Sequence, residues 1–291
     1  MSTPSRHSFP PRGTTRHLPK SIWLPVHAVA VFAFLYLPIA VLVLYSFNGQ
    51  SVGGFPPRDL TLHWYRVLAA DELIWKAVLN SLVVAAAAVG IALALGLPAA
   101  LALDRASFPG KAAFRRLVLL PLILPGIITG LSLLMLFVEA GMKLSLLTIT
   151  LGHGTALISV ATTEIFAGLQ KMERAQEEAS LDLGANYWQT FWRVTIPNLR
   201  LSLIGAGLLI FTLSMDEIAV SFFLLGRDNT LPLEIWSRLR RGITPEINAI
   251  STLIFFFSLI MILVWYRLRT RGERRTESPT ELVDATLEGQ Q

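Results

Sequence analysis

Residues 75–103 read WKAVLNSLVVAAAAVGIALALGLPAALAL, and Lys76 is the only charged residue among them. A helix rises ~1.5 Å per residue and the hydrocarbon core of a bilayer is ~30 Å thick, so ~20 apolar residues suffice to cross it. The stretch is therefore predicted to be a transmembrane helix. The whole chain agrees, because 53% of its 291 residues are hydrophobic and only 15% are charged, whereas soluble domains carry about 25% charged residues. This composition excludes an ordinary soluble enzyme.

Five further apolar stretches have the length of a membrane span. They are residues 22–45, 117–137, 144–169, 199–225 and 247–266. The first is too long for the core of a signal peptide, so we expect it to remain as an anchor. The sequence thus predicts an all-α membrane protein with six transmembrane helices. Residues 1–20 form an N-terminal tail, residues 21–269 the six-span domain, and the polar residues 270–291 a disordered C-terminal tail.

The distribution of basic residues predicts the orientation, since lysine and arginine are retained on the cytoplasmic side. With both termini in the cytoplasm, 17 of the 25 basic residues lie in inner segments and 8 in outer segments. Both tails are therefore predicted to be cytoplasmic. The basic residues stand beside apolar segments and form no patch interleaved with exposed aromatics, so nucleic acid is not an expected partner.

The inner segment of about residues 170–198, here called the coupling loop, is long for a connection between two spans. Residues 173–183 are good helix formers, and Gly184 follows them where a left-handed cap would be needed. Asn186 and Gln189 form an N-cap pair, which predicts a second helix that ends at Pro197. A docking site for another protein would explain two ordered helices in such a loop.

Aromatic side chains recur at helical spacing in the second of these helices. Trp188, Phe191, Trp192 and Thr195 are three or four residues apart, which places them on one face. From periodicity alone, this face is either part of a docking surface or an aromatic belt at the membrane interface.

The coupling loop also carries a long-spaced motif. Glu178-Ala179-Ser180 is followed by Gly184 and, after nine residues, by Val194 and then Ile196-Pro197. This pattern resembles the EAA loop of the permease subunits of binding-protein-dependent ABC importers. Serine in place of the second alanine is a conservative departure from it.

The resemblance extends over about residues 22–268. Residues 211–217 (FTLSMDE) and 231–236 (LPLEIW) are similar to the second permease subunit of the spermidine/putrescine branch. The resemblance implies that this chain is a type I importer permease, that it lies in the bacterial inner membrane, and that it imports polyamines. The implied partners are a second permease chain, an ATPase dimer and an extracytoplasmic solute-binding protein, besides membrane lipid. The ATPase-coupling residues implied by the motif are Glu178, Ala179, Ser180, Gly184 and Pro197.

No residue pattern for catalysis is present. The Gly-Lys pair Gly110-Lys111 is followed by Ala112, so the phosphate-binding Gly-x-x-x-x-Gly-Lys-Ser/Thr motif is missing. ATP and Mg are therefore expected on the partner ATPase, with no cofactor on this chain. The five histidines lack metal-ligand spacing and there is no cysteine, so no metal site and no catalytic residue are assigned.

Two adjacent carboxylates in the fifth predicted span are candidates for the substrate pathway. Ionisable groups inside a membrane are costly and usually face a cavity or a partner. Asp216 is ~24 Å along the span from Arg200, in the outer half of the membrane. Adjacent residues of a helix differ by ~100° in direction, so we expect Asp216 to face the pathway and Glu217 to pair with a neighbour. Alternatively, both carboxylates hold helices together.

His153, between two glycines, is expected to be a packed polar residue of the bundle.

Three other readings compete with the polyamine importer. They are a stand-alone secondary transporter or channel for a small cation, an ABC permease for another small organic solute, and a membrane-anchored assembly protein. A stand-alone carrier would have no use for the coupling loop and would usually show inverted repeats.

Overall fold

The structure is a computed structural model that describes residues 23–50, 56–57, 59–242, 244–260 and 263. Within these ranges the regular structure is helical throughout. The two predicted tails, residues 1–20 and 270–291, lie outside the described residues.

The helices of the described residues are numbered in chain order. They are α1 (Trp23–Tyr45), α2 (His63–Ala69), α3 (Glu72–Arg105), α4 (Lys111–Ile123), α5 (Gly126–Glu139), α6 (Leu146–Ala156), α7 (Ile158–Leu169), α8 (Ala175–Asp182), α9 (Tyr187–Thr190), α10 (Ile196–Met215), α11 (Ala219–Leu224), α12 (Leu231–Arg241) and α13 (Pro245–Ile260). A five-residue π-helical turn, Phe191–Thr195, joins α9 to α10.

The chain divides into two compact units. One contains residues 1–61 and 248–291, and the other contains residues 62–247. In the first unit, α1 is an apolar helix whose large side chains are mostly exposed, Phe34 to 78%. Such a surface is suited to lipid or to another apolar helix.

The core of the second unit lies where α3 packs against α6, α7 and α10. Small side chains make this close approach possible, because they let helix backbones come together. Ala92, Ala100, Ala161 and Ala206 are fully buried there, beside the larger Ile165 and Ile210. The buried alanines of α3 therefore form the packing face of this central helix; they are Ala77, Ala85, Ala88, Ala92 and Ala100.

Gly96 lies where α3 and α7 come close together. A Cβ at this position would lie 2.5 Å from Ala161 Cβ and 3.1 Å from the Thr162 backbone nitrogen. We expect Gly96→Ala to lower the melting temperature of the purified protein, because α3 and α7 must separate to accept the methyl group. The matched control is Gly90→Ala in the same helix, where a Cβ meets nothing within 4 Å. Equal melting temperatures for the two variants would contradict this packing.

Four described helices are long and apolar enough to cross a membrane: Pro25–Tyr45, Glu72–Arg105, Leu146–Leu169 and Tyr187–Met215. The pair α4 and α5 passes the same test together but is bent by 107°, which gives up to five candidate spans. The sixth predicted span, residues 247–266, is represented by the shorter apolar helix α13, and most of its residues after 260 lie outside the described part.

The bend between α4 and α5 lies at Leu124 and Pro125. Pro125 lacks a backbone N–H, and the helical conformation is disfavoured for the residue before a proline. Leu124 accordingly has φ −74° and ψ 134°. Pro121, in contrast, lies inside α4 without ending it. The third predicted span is thus broken at a single proline, Pro125.

The predicted helix end at Pro197 is wrong. The chain remains helical from Tyr187 to Met215, with Pro197 in the first turn of α10. In the π-helical turn, the Ile196 N–H donates to Phe191 O, five residues back. The wider turn relieves the clash between a proline ring and the carbonyl four residues earlier, so the helix continues.

The fifth predicted span, residues 199–225, is not one continuous helix. Helix α10 ends at Met215, residues 216–218 are non-helical, and α11 begins at Ala219. The interruption contains both predicted pathway carboxylates.

Arg238 of α12 ties the predicted outer end of α3 to the neighbouring helices. Its Nη1 lies 2.7 Å from Asp71 Oδ2 and its Nε 2.9 Å from Glu234 Oε1, and it also contacts Glu246. Burial by itself lowers the pKa of Arg238, but the hydrogen bonds that its guanidinium donates to Asp71 and Glu234 outweigh this effect, so the net pKa is raised. The guanidinium is therefore permanently charged and joins three carboxylates.

The Arg238 bond makes stability depend on pH through Asp71. This bond, together with backbone N–H groups at the start of α3, lowers the pKa of Asp71 from its ordinary 3.8. Because the folded pKa is depressed, the carboxylate stabilises the fold above pH 3.8 and loses this effect as pH falls through the lowered value. We expect Asp71→Asn to melt at a lower temperature than the unmodified protein at pH 7, and the gap to close below pH 3.8. A gap that is independent of pH would contradict the ion pair, and the exposed neighbour variant Glu72→Gln is the control.

Candidate functional site

Helix α8 of the coupling loop ends at Gly184 in a complete C-terminal cap. Gly184 has φ +88°, its N–H donates to Leu181 O at 2.9 Å, and the Ala185 N–H donates to Ser180 O at 3.1 Å. These two bonds define a Schellman motif, whose left-handed position favours glycine. The predicted role of Gly184 as a left-handed cap is confirmed.

The helix that follows begins at the predicted N-cap. Asn186 Oδ1 accepts from the Gln189 N–H at 2.8 Å, and Gln189 Oε1 accepts from the Asn186 N–H at 3.0 Å. This reciprocal pair is a capping box. Two helices therefore meet at the Gly184 turn, as the sequence predicts.

The aromatic residues of this second helix form one cluster. The ring centroids of Trp188 and Phe191 are 5.8 Å apart, and those of Trp188 and Trp192 are 5.6 Å apart. Trp188 is 68% exposed and Trp192 is 53% exposed, whereas Thr195 is buried. The shared aromatic face is confirmed, but Thr195 belongs to the packed side of the helix.

The predicted coupling residues occupy different environments. Glu178 and Ala179 are exposed on α8, and Ser180 is half-buried with its Oγ 3.0 Å from Thr190 Oγ1. Gly184 and Pro197 are exposed, but Pro197 lies on the long helix that leads into the bundle. The motif therefore combines an exposed face on α8 with a contact that holds α8 against α9.

Sequence reasoning missed the side chains that attach α8 to the bundle. Asp104 Oδ2 lies 3.2 Å from Arg174 Nη2, and Arg105 Nη2 lies 2.6 Å from Glu177 Oε1. Gln170 Nε2 also donates to Asp104 Oδ1. The sequence did carry a signal for these pairs. Asp104 and Arg105 stand side by side directly after the apolar residues 75–103, and the coupling loop has Arg174 and Glu177 three positions apart.

Glu177 also connects α8 to the start of the long helix. Its Oε1 accepts a hydrogen bond from the Thr195 hydroxyl in the π-helical turn. Close by, Asn198 Nδ2 donates to Gln176 Oε1 at 2.8 Å. The buried hydroxyl of Thr195 thus has a partner, and α8 is joined to the long helix at both Gln176 and Glu177.

The two predicted pathway carboxylates lie in the interruption between α10 and α11. Asp216 is exposed at the C-terminal end of α10, and Glu217 is half-buried with its Oε1 accepting from the Val220 N–H at 2.9 Å. The expectation that Asp216 and Glu217 point about 100° apart assumed a continuous helix, and it does not apply here because the helix ends at Met215. Glu217 caps α11, whereas Asp216 extends the negative end of the α10 dipole.

His153 bridges the interruption from α6. Its Nδ1 lies 2.8 Å from Ser214 Oγ, at the end of α10, and its Nε2 lies 2.8 Å from Ser221 Oγ in α11. The histidine is 1% exposed. The expectation of a packed polar residue is confirmed, and the contacts hold both sides of the break to one ring. We call this set of three side chains the His153 bridge.

The interruption packs directly on the bend of the third span. A Cβ on Gly126 would lie 3.2 Å from Ala219 Cβ, and one on Gly130 would lie 2.9 Å from a ring carbon of Phe223. Two broken helical segments thus meet through glycines. Irregular backbone at membrane depth is tolerated where it is buried in protein or lines a cavity, and discontinuous helices commonly form transport sites.

The coupling loop and the carboxylates lie at opposite ends of α10. Nineteen residues separate Pro197 from Asp216, which corresponds to about 28 Å along a helix. In the described residues no group of histidine, aspartate and glutamate side chains is arranged to hold a metal ion. An exposed loop of two short helices is thus joined by one long helix to a distant polar break.

The sequence matches the family described as binding-protein-dependent transport system inner membrane component over residues 92–278. It is 36% identical over 269 residues to the putrescine transport system permease protein PotI of Escherichia coli K12, and the aligned region covers 88% of this chain and 94% of that protein. It is 32% identical to the spermidine/putrescine transport system permease protein PotC of Haemophilus influenzae, over 80% of this chain and 91% of that protein.

Solved structures share the fold. A chain of a bacterial ABC transporter involved in the import of the acidic polysaccharide alginate matches with a TM-score of 0.64 and 20% identity, over 84% of this chain and 96% of that chain. The same kind of transporter, in complex with a periplasmic protein bound to an alginate pentasaccharide, gives a TM-score of 0.60 over 84% of this chain and 92% of that chain. The chain therefore belongs to the inner membrane components of binding-protein-dependent transport systems, as a permease subunit of an ABC importer.

Proposed function

We propose that this permease imports a polyamine, putrescine or spermidine, and that Asp216 receives the cationic substrate. The substrate class is supported by similarity to two polyamine permeases along most of the chain. The single structural observation that carries the site is the exposed carboxylate of Asp216 at the end of α10, inside a break between helices. The C-terminal end of a helix adds negative potential to that carboxylate.

The proposal includes an architecture of six spans with both termini in the cytoplasm. The bent pair of α4 and α5 would be the third span, and α10 with α11 the fifth. The excess of basic residues in the segments that would be cytoplasmic supports this orientation. A chain of this kind lines half of a pathway, so we propose a second, different permease chain as the other half.

Transport would be driven by an ATPase dimer that holds ATP and Mg, with substrate delivered by an extracytoplasmic binding protein. The exposed Glu178 and Ala179 would face the ATPase, while Ser180 and Gly184 hold α8 at a fixed angle to α9. Pro197 would lie where the loop joins the long helix. Closing the ATPase dimer would then displace α8 and with it the attached spans.

The direct test is ATP-dependent uptake of labelled putrescine and spermidine by proteoliposomes that contain the complete assembly. We expect Asp216→Asn to raise the apparent KM for uptake about tenfold, because a bond to a charged group contributes about 1.5–3 kcal/mol. The matched control is Glu217→Gln, whose amide oxygen can still accept from the Val220 N–H. An unchanged KM for Asp216→Asn would remove Asp216 from the pathway. ATP hydrolysis stimulated by a binding protein loaded with another solute, without polyamine uptake, would overturn the substrate class.

A further inference from the structure

The end of α3 carries two opposite charges in succession, and each pairs with a residue of the coupling loop. Asp104 binds Arg174, and Arg105 binds Glu177. These pairs are partly shielded from water, since the side chains of Asp104 and Glu177 are only 4% and 13% exposed. Fully exposed ion pairs contribute little because water screens them, so the burial of one partner in each pair matters.

Additional hydrogen bonds make the two pairs a network. Arg174 Nη2 reaches the Asp104 carbonyl oxygen at 3.3 Å as well as its carboxylate, and Gln170 donates to the same carboxylate. Glu177 accepts from both Arg105 and the Thr195 hydroxyl. Charged groups joined in a network have less freedom to separate than isolated pairs.

Apart from its contacts with α9 and the π-helical turn, helix α8 has little else to hold it. None of its residues is buried, so apolar packing does not fix its position. Its other described side-chain contacts are the bonds from Ser180 to Thr190 and from Asn198 to Gln176. The polar network with α3 is therefore a principal attachment of α8 to the bundle.

Helix α3 is in turn the central helix of the second unit. Its small residues pack against α6, α7 and α10 along its length. Because packed interiors are stiff and deform little, a displacement applied at Arg105 moves the whole helix. A force on α8 has a path through charged side chains into the core that does not depend on the covalent loop.

We propose that Asp104 and Arg105 are positioning residues that make α8 and α3 move as one body during transport. This rests on the proposed function, in which α8 contacts the ATPase. In this arrangement α3 receives the motion of α8 through the two ion pairs, and α10 receives it through Glu177 and Thr195. Loss of a pair leaves the ATPase docked but disconnects its motion from the bundle.

The test is a charge exchange in the complete assembly, reconstituted with its ATPase, partner permease and binding protein. Arg105→Glu and Glu177→Arg each place like charges where the ion pair stood, and the double variant restores opposite charges. We expect each single variant to lower putrescine taken up per ATP hydrolysed about tenfold and the double variant to recover most of it, as coupled residues do. The ATPase should copurify with all three variants. A merely structural role would change the amount of assembled protein, not the ratio of uptake to hydrolysis.

Two controls separate this inference from the proposed function. Arg116→Glu reverses an exposed charge in α4 that makes no ion pair among the described residues, and it should leave the ratio unchanged. Glu178→Arg changes the exposed face of α8 and tests the docking itself. If Glu178→Arg uncouples transport while Arg105→Glu and Glu177→Arg do not, the network is wrong and the docking stands. If none of the α8 variants alters hydrolysis, binding or uptake, the proposed coupling site is wrong.

Discussion

Replacing His153 by leucine is expected to reduce uptake at least about tenfold and to lower the melting temperature, since a buried polar group left without a partner costs about 1–3 kcal/mol. The substitution leaves the hydroxyls of Ser214 and Ser221 without the ring that joins them. Both serines are at least 95% buried, so water does not replace the lost bonds. The interruption between α10 and α11, which carries Asp216, would lose its bridge to α6.

Two comparison variants make this expectation specific. Thr155→Val removes a hydroxyl from the same helix, but that hydroxyl donates only to backbone carbonyls of α6 itself, those of Leu151 and Gly152. It should transport normally. His153→Gln keeps a donor and an acceptor on a flexible side chain and should recover part of the uptake. The His153 bridge would be contradicted if His153→Leu behaved like Thr155→Val in both uptake and thermal melting.

Gly184→Val is the second substitution with a large expected effect. A residue with a Cβ costs about 1–2 kcal/mol in a left-handed conformation, and a β-branched residue is least suited to it. A Cβ at Gly184 meets nothing within 4 Å, so the whole cost is in the backbone. We expect the turn between α8 and α9 to open, α8 to lose its orientation, and uptake per ATP hydrolysed to fall strongly.

Gly110 supplies a matched control for this variant. It has φ +85°, close to the +88° of Gly184, and a Cβ there also meets open space. Gly110→Val therefore carries the same kind of backbone cost but lies before α4, outside the coupling loop. Both variants should lose similar thermal stability, and only Gly184→Val should uncouple transport. Equal uptake per ATP in the two variants would show that the Gly184 turn has no special function.

Local structure was predictable wherever neighbouring residues decide it. The Gly184 cap, the Asn186–Gln189 capping box and the break at Pro125 each depend on a backbone preference expressed within four residues. The helix end at Pro197 was a local prediction that failed. A proline ends an ordinary α-helix, but here the π-helical turn Phe191–Thr195 directly precedes α10 and accommodates Pro197, so the helix continues. Nothing in the local sequence marks that turn.

The candidate site likewise contains residues that the sequence points to and contacts that only the fold creates. The exposed residues Glu178, Ala179 and Gly184 are singled out by the resemblance of their motif to the EAA loop, and their role in coupling stays a prediction. The ion-pair partners of Asp104 and Glu177 could not be found, because 70 residues separate Asp104 from Arg174 and 72 separate Arg105 from Glu177. Such pairs form only after α3 and the coupling loop have been brought to the same end of the bundle.

The sequence by itself determined that this chain lies in a membrane, that it is built from long apolar helices, and where the coupling loop turns, because hydrophobic length and backbone preference act over short distances. Only the tertiary structure decided that the fifth predicted span is interrupted at Asp216 and Glu217, and that His153 holds the interruption from another helix. An apolar run has the same composition whether or not it is broken. The break becomes stable when Ser214, Ser221 and the glycines of α5 find their partners across the bundle.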